Sequence, residues 1–263
     1  MKEIKDNIVL ELKKFFERAG HSKAVLGMSG GLDSAVVLAL AVDALGAENV
    51  LSVMLPSMYS SQHSIDDSMQ MIKNLNTPYE LIKIEDVYNS VLNSLSPVFK
   101  DAKFDVTEEN IQARIRGLLL MAIANKQRRL LLNTSNKSEL AVGYGTLYGD
   151  LCGSISVIGN LYKTQVYQLA EYINLEREII PRNIISKAPS AELRHDQKDS
   201  DSLPEYAILD AILKSYIDEH KNIETIIEEG LAEDVVRKTI SLVENNTFKS
   251  LQVPPKISIH HLN

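Results

Sequence analysis

The stretch Ala24-Val25-Leu26-Gly27-Met28 limits the possible folds more than any other part of the sequence. A short apolar run enters the turn Ser29-Gly30-Gly31, and Leu32 to Leu45 then reads as a buried helix stopped at Gly46. The same order recurs. Val50 to Leu55 forms a second apolar run ending at Pro56, a polar helix is predicted near 62–75, and a third strand from Tyr79 to Ile84. Thr107 opens a long helical pattern expected to face Ile111, Ile115, Leu118, Leu119 and Ala122 inward, and it leads to a fourth strand, Leu130-Leu131-Leu132. Short strands alternating with helices predict an α/β fold, an open, Rossmann-like parallel sheet with helices on both faces.

Before the first strand, residues 2–19 set Ile4, Ile8, Leu12, Phe15 and Phe16 at helical spacing. Residues 143–161 are rich in glycine and read as a folded loop, followed by a helix from about Lys163 to Asn174. The polar stretch 187–203 has the composition of a mobile lid, and acidic helices are expected over 205–245. No repeat or break in composition divides the chain, so one domain over 1–263 is expected.

Composition narrows the function. The 263 residues are 44% apolar, with 28 Lys+Arg against 35 Asp+Glu for a net charge of −7, and no basic stripe with interleaved aromatics offsets that charge. A nucleic-acid partner is therefore not expected. The longest apolar run, Ala35 to Val42, is far below the roughly 18 residues a membrane span needs. Lys2, Glu3, Lys5 and Asp6 do not follow the order of a signal peptide. The single Cys152 cannot form an internal disulfide, which suits a reducing, cytoplasmic setting.

The chemistry centres on Gly27-Met28-Ser29-Gly30-Gly31-Leu32-Asp33-Ser34, between the first strand and its helix. Ligands of open parallel sheets bind beyond the carboxyl ends of strands, and a helix amino terminus there offers unpaired N–H groups to phosphate. The spacing is neither GxGxxG nor a Walker A loop. A bland reading also exists, a tight turn with Ser29 or Asp33 as helix cap.

The SGGLDS segment resembles the SGGxDS loop of the adenylating enzymes that split ATP into AMP and pyrophosphate, the N-type ATP pyrophosphatases. Five further segments narrow the resemblance: Asn110 to Arg116, Asn133-Thr134 to Glu139, Gly143 to Asp150, Lys163-Thr164-Gln165-Val166, and Ala188-Pro189-Ser190-Ala191-Glu192-Leu193. In that order and spacing the chain is similar to the ammonia-dependent NAD synthetases from about residue 5 to Lys249. The fold this implies is of the adenine nucleotide alpha hydrolase type.

The resemblance implies an ATP site made of Gly27, Met28, Ser29, Gly30, Gly31, Leu32, Asp33, Ser34, Thr134, Lys163 and Ser190. It assigns Mg²⁺ to Asp33 and Glu139, catalytic roles to Asp33 and Lys163, and contacts with deamido-NAD to Arg114 and Lys249. For Glu139 the alternative is a capping box with Asn136; for Thr134 it is a cap on the next helix; for Lys163 it is a solvated charge beside a Thr164 cap. On the long helix Arg114 and Arg116 point different ways, so only one can serve easily, and either can be a plain surface charge. Two positions depart from the family pattern: Leu147 stands where many relatives have Lys, and Phe248 where they have His before the residue matched by Lys249. The role of Asp150 is open.

The implied reaction adenylates the nicotinate carboxylate of deamido-NAD and displaces AMP with ammonia, in a homodimer. With the chain ending at Asn263 and Cys152 read as structural, free ammonia is expected as the nitrogen source. The rivals are another loop-sharing ATP pyrophosphatase and a non-catalytic ATP-binding module. The pair Asp33 and Glu139 separates the last, since a sensor needs no metal pair.

Overall fold

The computed structural model describes residues 1–259. Its centre is β1 (Ala24–Gly27), flanked on one side by β2 (Val50–Met54) and β3 (Tyr79–Leu81), on the other by β4 (Leu130–Asn133) and β5 (Ile155–Ser156). All neighbours pair in parallel, in the order β3-β2-β1-β4-β5, with Ala24 opposite both Val50 and Leu130. Strand order reverses between β1 and β4, and the carboxyl ends there open a crevice.

Alternation along the strands fills two cores, as the pleat requires. Ala24, Leu26, Val50, Met54 and Leu132 pack against α1 (Lys2–Ala19), α2 (Leu32–Leu45), α3 (Gln62–Leu75), and, on the same face, helical residues 163–173 and 182–186. Val25, Leu51, Val53 and Leu131 face the other way, onto α4 (Glu85–Phe99) and α5 (Val106–Gln127). Helices therefore cover both faces. Beyond β4 the chain adds α6 (Lys137–Val142), α7 (Lys163–Ile173), α8 (Arg182–Ser186), α9 (Tyr206–Leu213), α10 (Ile223–Glu228), α11 (Glu233–Asn245) and α12 (Thr247–Ser250). In α1, Ile8, Leu12 and Phe16 stand one turn apart and are fully buried, and Gly20 ends the helix in the left-handed conformation.

Several expectations are corrected. The third strand stops at Leu81 rather than Ile84. It is an edge strand, and although Ile82 and Ile84 still donate to the carbonyls of Met54 and Pro56, the chain turns there into α4. The 143–161 loop contains the two-residue strand β5. On α5, Ile111 and Ile115 are buried, but Leu118 is 63% exposed and Ala122 is exposed. The inward side of α5 instead carries Ala113, Gly117 and Ala124, all buried, and at Gly117 a Cβ would lie 3.1 Å from the carbonyl oxygens of Tyr148 and Gly149; Leu118 and Ala122 lie round the helix from that stripe. The 187–203 stretch carries a short 3₁₀ turn at Asp199–Asp201 and buries Leu203. Among the described residues no helix is long and apolar enough to cross a membrane.

Phe16 is the largest wholly buried side chain of α1. Phe16→Ala should cost about 3–5 kcal/mol of stability in urea unfolding. A loss below about 1 kcal/mol would mean that α1 is not part of the cooperative core.

Candidate active site

Three helix amino termini meet at the crevice. α2 follows β1 and carries Asp33, α6 follows β4 and carries Glu139, and α7 follows β5 and opens with Lys163. The Lys163 ammonium, 4% exposed, donates to Asp33 and lies 3.5 Å from Glu139. Burial opposes its charge, but Asp33 and Glu139 outweigh burial, and its pKa is raised. Asn136 joins the carboxylates: its amide donates to Asp33 at 3.0 Å while its carbonyl oxygen accepts the Glu139 N–H at 3.0 Å.

The capping box expected of Asn136 and Glu139 is present. One Glu139 oxygen accepts the Asn136 N–H at 3.3 Å and completes the box, and the other faces Lys163. The cap of α6 is Asn136, so the cap reading of Thr134 falls, and Thr134 lines the crevice instead. At α7 the Thr164 cap falls as well, because the N-cap is Tyr162 and Thr164 already lies inside the helix, its N–H going to Asp210 at 2.8 Å.

The loop before α2 is held by its own hydroxyls. Ser29 and Ser34 Oγ stand 3.1 Å apart, Ser34 Oγ donates to the Gly31 carbonyl at 3.0 Å, and the Gly31 N–H donates to Ser29 Oγ at 3.2 Å. Neither Ser29 nor Asp33 caps α2, whose N-cap is Gly31 without a side-chain bond. Gly30 is obligatory: φ is +75°, and a Cβ would stand 2.3 Å from the Ser64 carbonyl oxygen at the start of α3.

These groups line one cleft of about 310 Å³, walled by the 27–34 loop, Leu55, Thr134, Glu139 and Lys163 and by residues 187–193, Ser190 included. Ser190 Oγ accepts the Glu192 N–H at 3.1 Å. Glu192 in turn hooks the segment to α3, accepting from Ser61 at 3.0 Å, Ser64 at 2.8 Å and Lys187 at 2.6 Å.

The acceptor residues named from the sequence lie outside this cleft. Arg114 is exposed and donates to the Leu147 carbonyl at 3.2 Å. Lys249 donates to the carbonyls of Gly143 and Gly145 at 2.7 and 2.9 Å, bracing loop 143–150, and burial lowers its pKa. Asp150 lines the cleft; its carboxyl accepts the Thr146 N–H at 2.7 Å and is pushed up by burial. Cys152 also lines the cleft, with its thiol pushed up by burial and further by Asp150, the opposite of an activated nucleophile.

Three residues of this region were not assigned to the site from the sequence, Arg116 because Arg114 was preferred to it. Arg116 lines the cleft where Arg114 does not. Asp199 is buried and accepts from the hydroxyls of Tyr144 and Tyr206, whose ring lies 5.2 Å from the Lys163 ammonium. Asp210, also buried, takes Ser138 Oγ on one oxygen and the Thr164 N–H on the other, so one carboxylate fixes the starts of α6 and α7 together. The available signal was an acid on the apolar face marked by Leu209, Ile212 and Leu213.

Burial pushes the Glu139 carboxyl up to about 8, with Asp33 adding to the rise and Lys163 opposing it. The folded state therefore keeps a proton that the unfolded chain, with its ordinary value of 4.5, has released. More protons bound in the native state make stability fall as pH rises between those two values. In metal-free buffer, Glu139→Gln should flatten that fall; parallel stability profiles of variant and wild type from denaturant titrations would refute it.

The profile described as NAD synthase matches residues 4–254. A glutamine-dependent NAD(+) synthetase of Synechocystis is 47% identical over 257 residues, which cover 98% of this chain and 46% of that protein. The chain thus spans about half the length of the curated relatives it matches. Among solved structures, the NMN synthetase of Francisella tularensis superposes with a TM-score of 0.81 at 28% identity, over 95% of both chains. An NH3-dependent NAD synthetase from Campylobacter jejuni gives 0.76 at 29% identity, over 94% of this chain and 95% of that one.

Proposed function

The chain belongs to the NAD synthase family, and from that premise we propose that it is a ligase which adenylates the nicotinate carboxylate of deamido-NAD with ATP and amidates it with ammonia. The observation that carries this reading is the Lys163 ammonium held between Asp33 and Glu139 against the Ser29–Ser34 loop. A buried cation and a helix amino terminus converge where phosphate charge grows on a leaving pyrophosphate.

In the first step a carboxylate oxygen attacks the α-phosphorus, the bond to the bridging oxygen of the β-phosphate breaks, and pyrophosphate leaves. In the second, the ammonia nitrogen attacks the acyl carbon, AMP leaves with the oxygen, and the nitrogen sheds a proton. The 27–34 loop cradles the phosphates through its N–H groups, Lys163 offsets charge on the departing oxygen, and Thr134 and Ser190 complete the nucleotide site. The donor set fits Mg²⁺, because Asp33 and Glu139 are two hard oxygen donors beside the same cation; they would hold the ion, with phosphate and water supplying its other oxygens. When bound, Mg²⁺ neutralises charge on the leaving phosphates.

The Cys152 thiol, raised rather than activated, supports ammonia itself as the nucleophile at this site. Arg114 and Lys249 flank loop 143–150 outside the cleft, and we assign the dinucleotide to that side. Leu118 and Met121, exposed on α5, are the surface we assign to a second copy in a homodimer. The NMN synthetase likeness favours a second reading, in which the acceptor is the corresponding mononucleotide.

Purified protein given ATP, Mg²⁺, ammonium and either acceptor should yield the amidated product with AMP and pyrophosphate, whereas ADP and phosphate would refute adenylation. Ammonium should far exceed glutamine as nitrogen donor. Asp33→Asn and Glu139→Gln should each slow AMP release by about 10²–10³-fold, and the double variant should be little worse than either, since the two act as one unit.

We also assign residues 187–203 as a lid over the nucleotide, on the strength of Ser190 in the cleft wall and the Glu192 hook on α3. Amide exchange in this segment should slow when ATP and deamido-NAD are added. Identical exchange with and without ligands would dismiss the lid.

A further inference from the structure

α5 separates the two arginines of the Asn110–Arg116 segment. Arg114 looks outward, whereas Arg116 turns into the cleft wall, where its Nε donates to the carbonyl of Leu55 at 2.9 Å just past the end of β2. Burial lowers its pKa to about 10, with Asp150 and Glu192 acting in the other direction.

The cleft is lined by three cations, Arg116, Lys163 and Lys187. Lys163 is paired with Asp33 and Glu139, and Lys187 with Glu192 at 2.6 Å. Among the described residues, Arg116 alone of the three has no ion-pair partner, and its two terminal nitrogens donate to no protein group. The nearby acids are committed elsewhere: Asp150 to the Thr146 N–H, Glu192 to Ser61, Ser64 and Lys187. Arg116 is half-buried, and its terminal nitrogens, with no protein acceptor, are left open on the cleft wall, the setting in which a fixed guanidinium takes up an anion. Anchoring α5 to Leu55 needs a single neutral donor, not a fork of five.

We propose that Arg116 is the oxyanion receptor of the cleft, its terminal nitrogens taking either a phosphoryl oxygen of the nucleotide or the carboxylate of the acceptor that reacts with it. The planar fork matches both anions in a paired contact. The assignment rests on the adenylation reading above for its place in the reaction, and it gives the cleft a cation that, unlike Lys163 and Lys187, has no carboxylate partner to give up when an oxyanion binds.

The test uses calorimetric binding of AMP and of deamido-NAD to wild type, Arg116→Gln and Arg116→Lys, together with kcat and KM. Arg116→Gln should weaken at least one of the two by about tenfold or more and lower kcat/KM in step; Arg116→Lys should recover part of the loss as a point charge without the fork. A loss confined to AMP identifies the phosphoryl oxygen, and one confined to deamido-NAD identifies the carboxylate. If Arg116→Gln does not fold, the lysine variant carries the comparison. Binding of both probes and kcat/KM per folded molecule equal to wild type, whatever the thermal stability, would overturn the proposal and leave Arg116 a tie to Leu55. Should wild type form no AMP with either acceptor, the adenylation reading fails, while the AMP binding arm still decides on Arg116.

Discussion

The buried triad of Asp33, Lys163 and the Glu139 carboxyl sets the terms for everything around it. A charge buried here costs several kcal/mol to remove from water unless it is paired and hydrogen-bonded, which is why the Lys163 ammonium lies against Asp33 and why the Glu139 carboxyl is driven toward its neutral form. Lys163 also sits at a helix amino terminus, the wrong end for a cation, which its two carboxylates correct. The triad can assemble only where strand order reverses, because only there do the segments after β1, β4 and β5 start side by side. The parallel sheet is in this sense scaffolding for three helix starts.

A layer behind the triad keeps those starts in place. Asp210 ties the first turns of α6 and α7 together with one carboxylate. The π-helical turn Lys214–Asp218 that follows α9 brings Asp218 to the Tyr162 hydroxyl at 2.9 Å and to Lys137 at 2.6 Å, so a second acid on the same continuous helix grips the same two segments. A π-turn shifts the face on which later side chains emerge; here it lets acids eight positions apart serve neighbouring targets.

The strands β1, β2 and β4 and the glycine turn after β1 were legible because their signals are local: short apolar runs, and a glycine whose φ of +75° and contact with Ser64 admit no side chain. α4 was not, since Pro97 and scattered serines interrupt its apolar pattern, and β5 is too short to have a period. In the site, residues carried by the loop and by helix first turns were found where expected. Arg116 was missed for a different reason. Helical spacing says that Arg114 and Arg116 diverge, but which of them meets the cleft depends on how Gly117 seats α5 against loop 148–152, a tertiary fact. Asp199 and Asp210 owe their importance to hydroxyls distant in sequence, Tyr144 for one and Ser138 for the other. The sequence alone gave no register between them.

In the reaction we propose, the double engagement of Glu139 bears on the thermodynamics of turnover. Its capping bond to the Asn136 N–H immobilises the side chain while the other oxygen is presented to Lys163. A free glutamate loses up to about 2 kcal/mol of rotamer entropy when it is fixed. Here that loss is incurred once, as the chain folds and α6 forms, and it does not recur with each catalytic cycle. The helix start thus acts as a reservoir of preorganisation, in which secondary structure and ligand capture draw on the same frozen torsions.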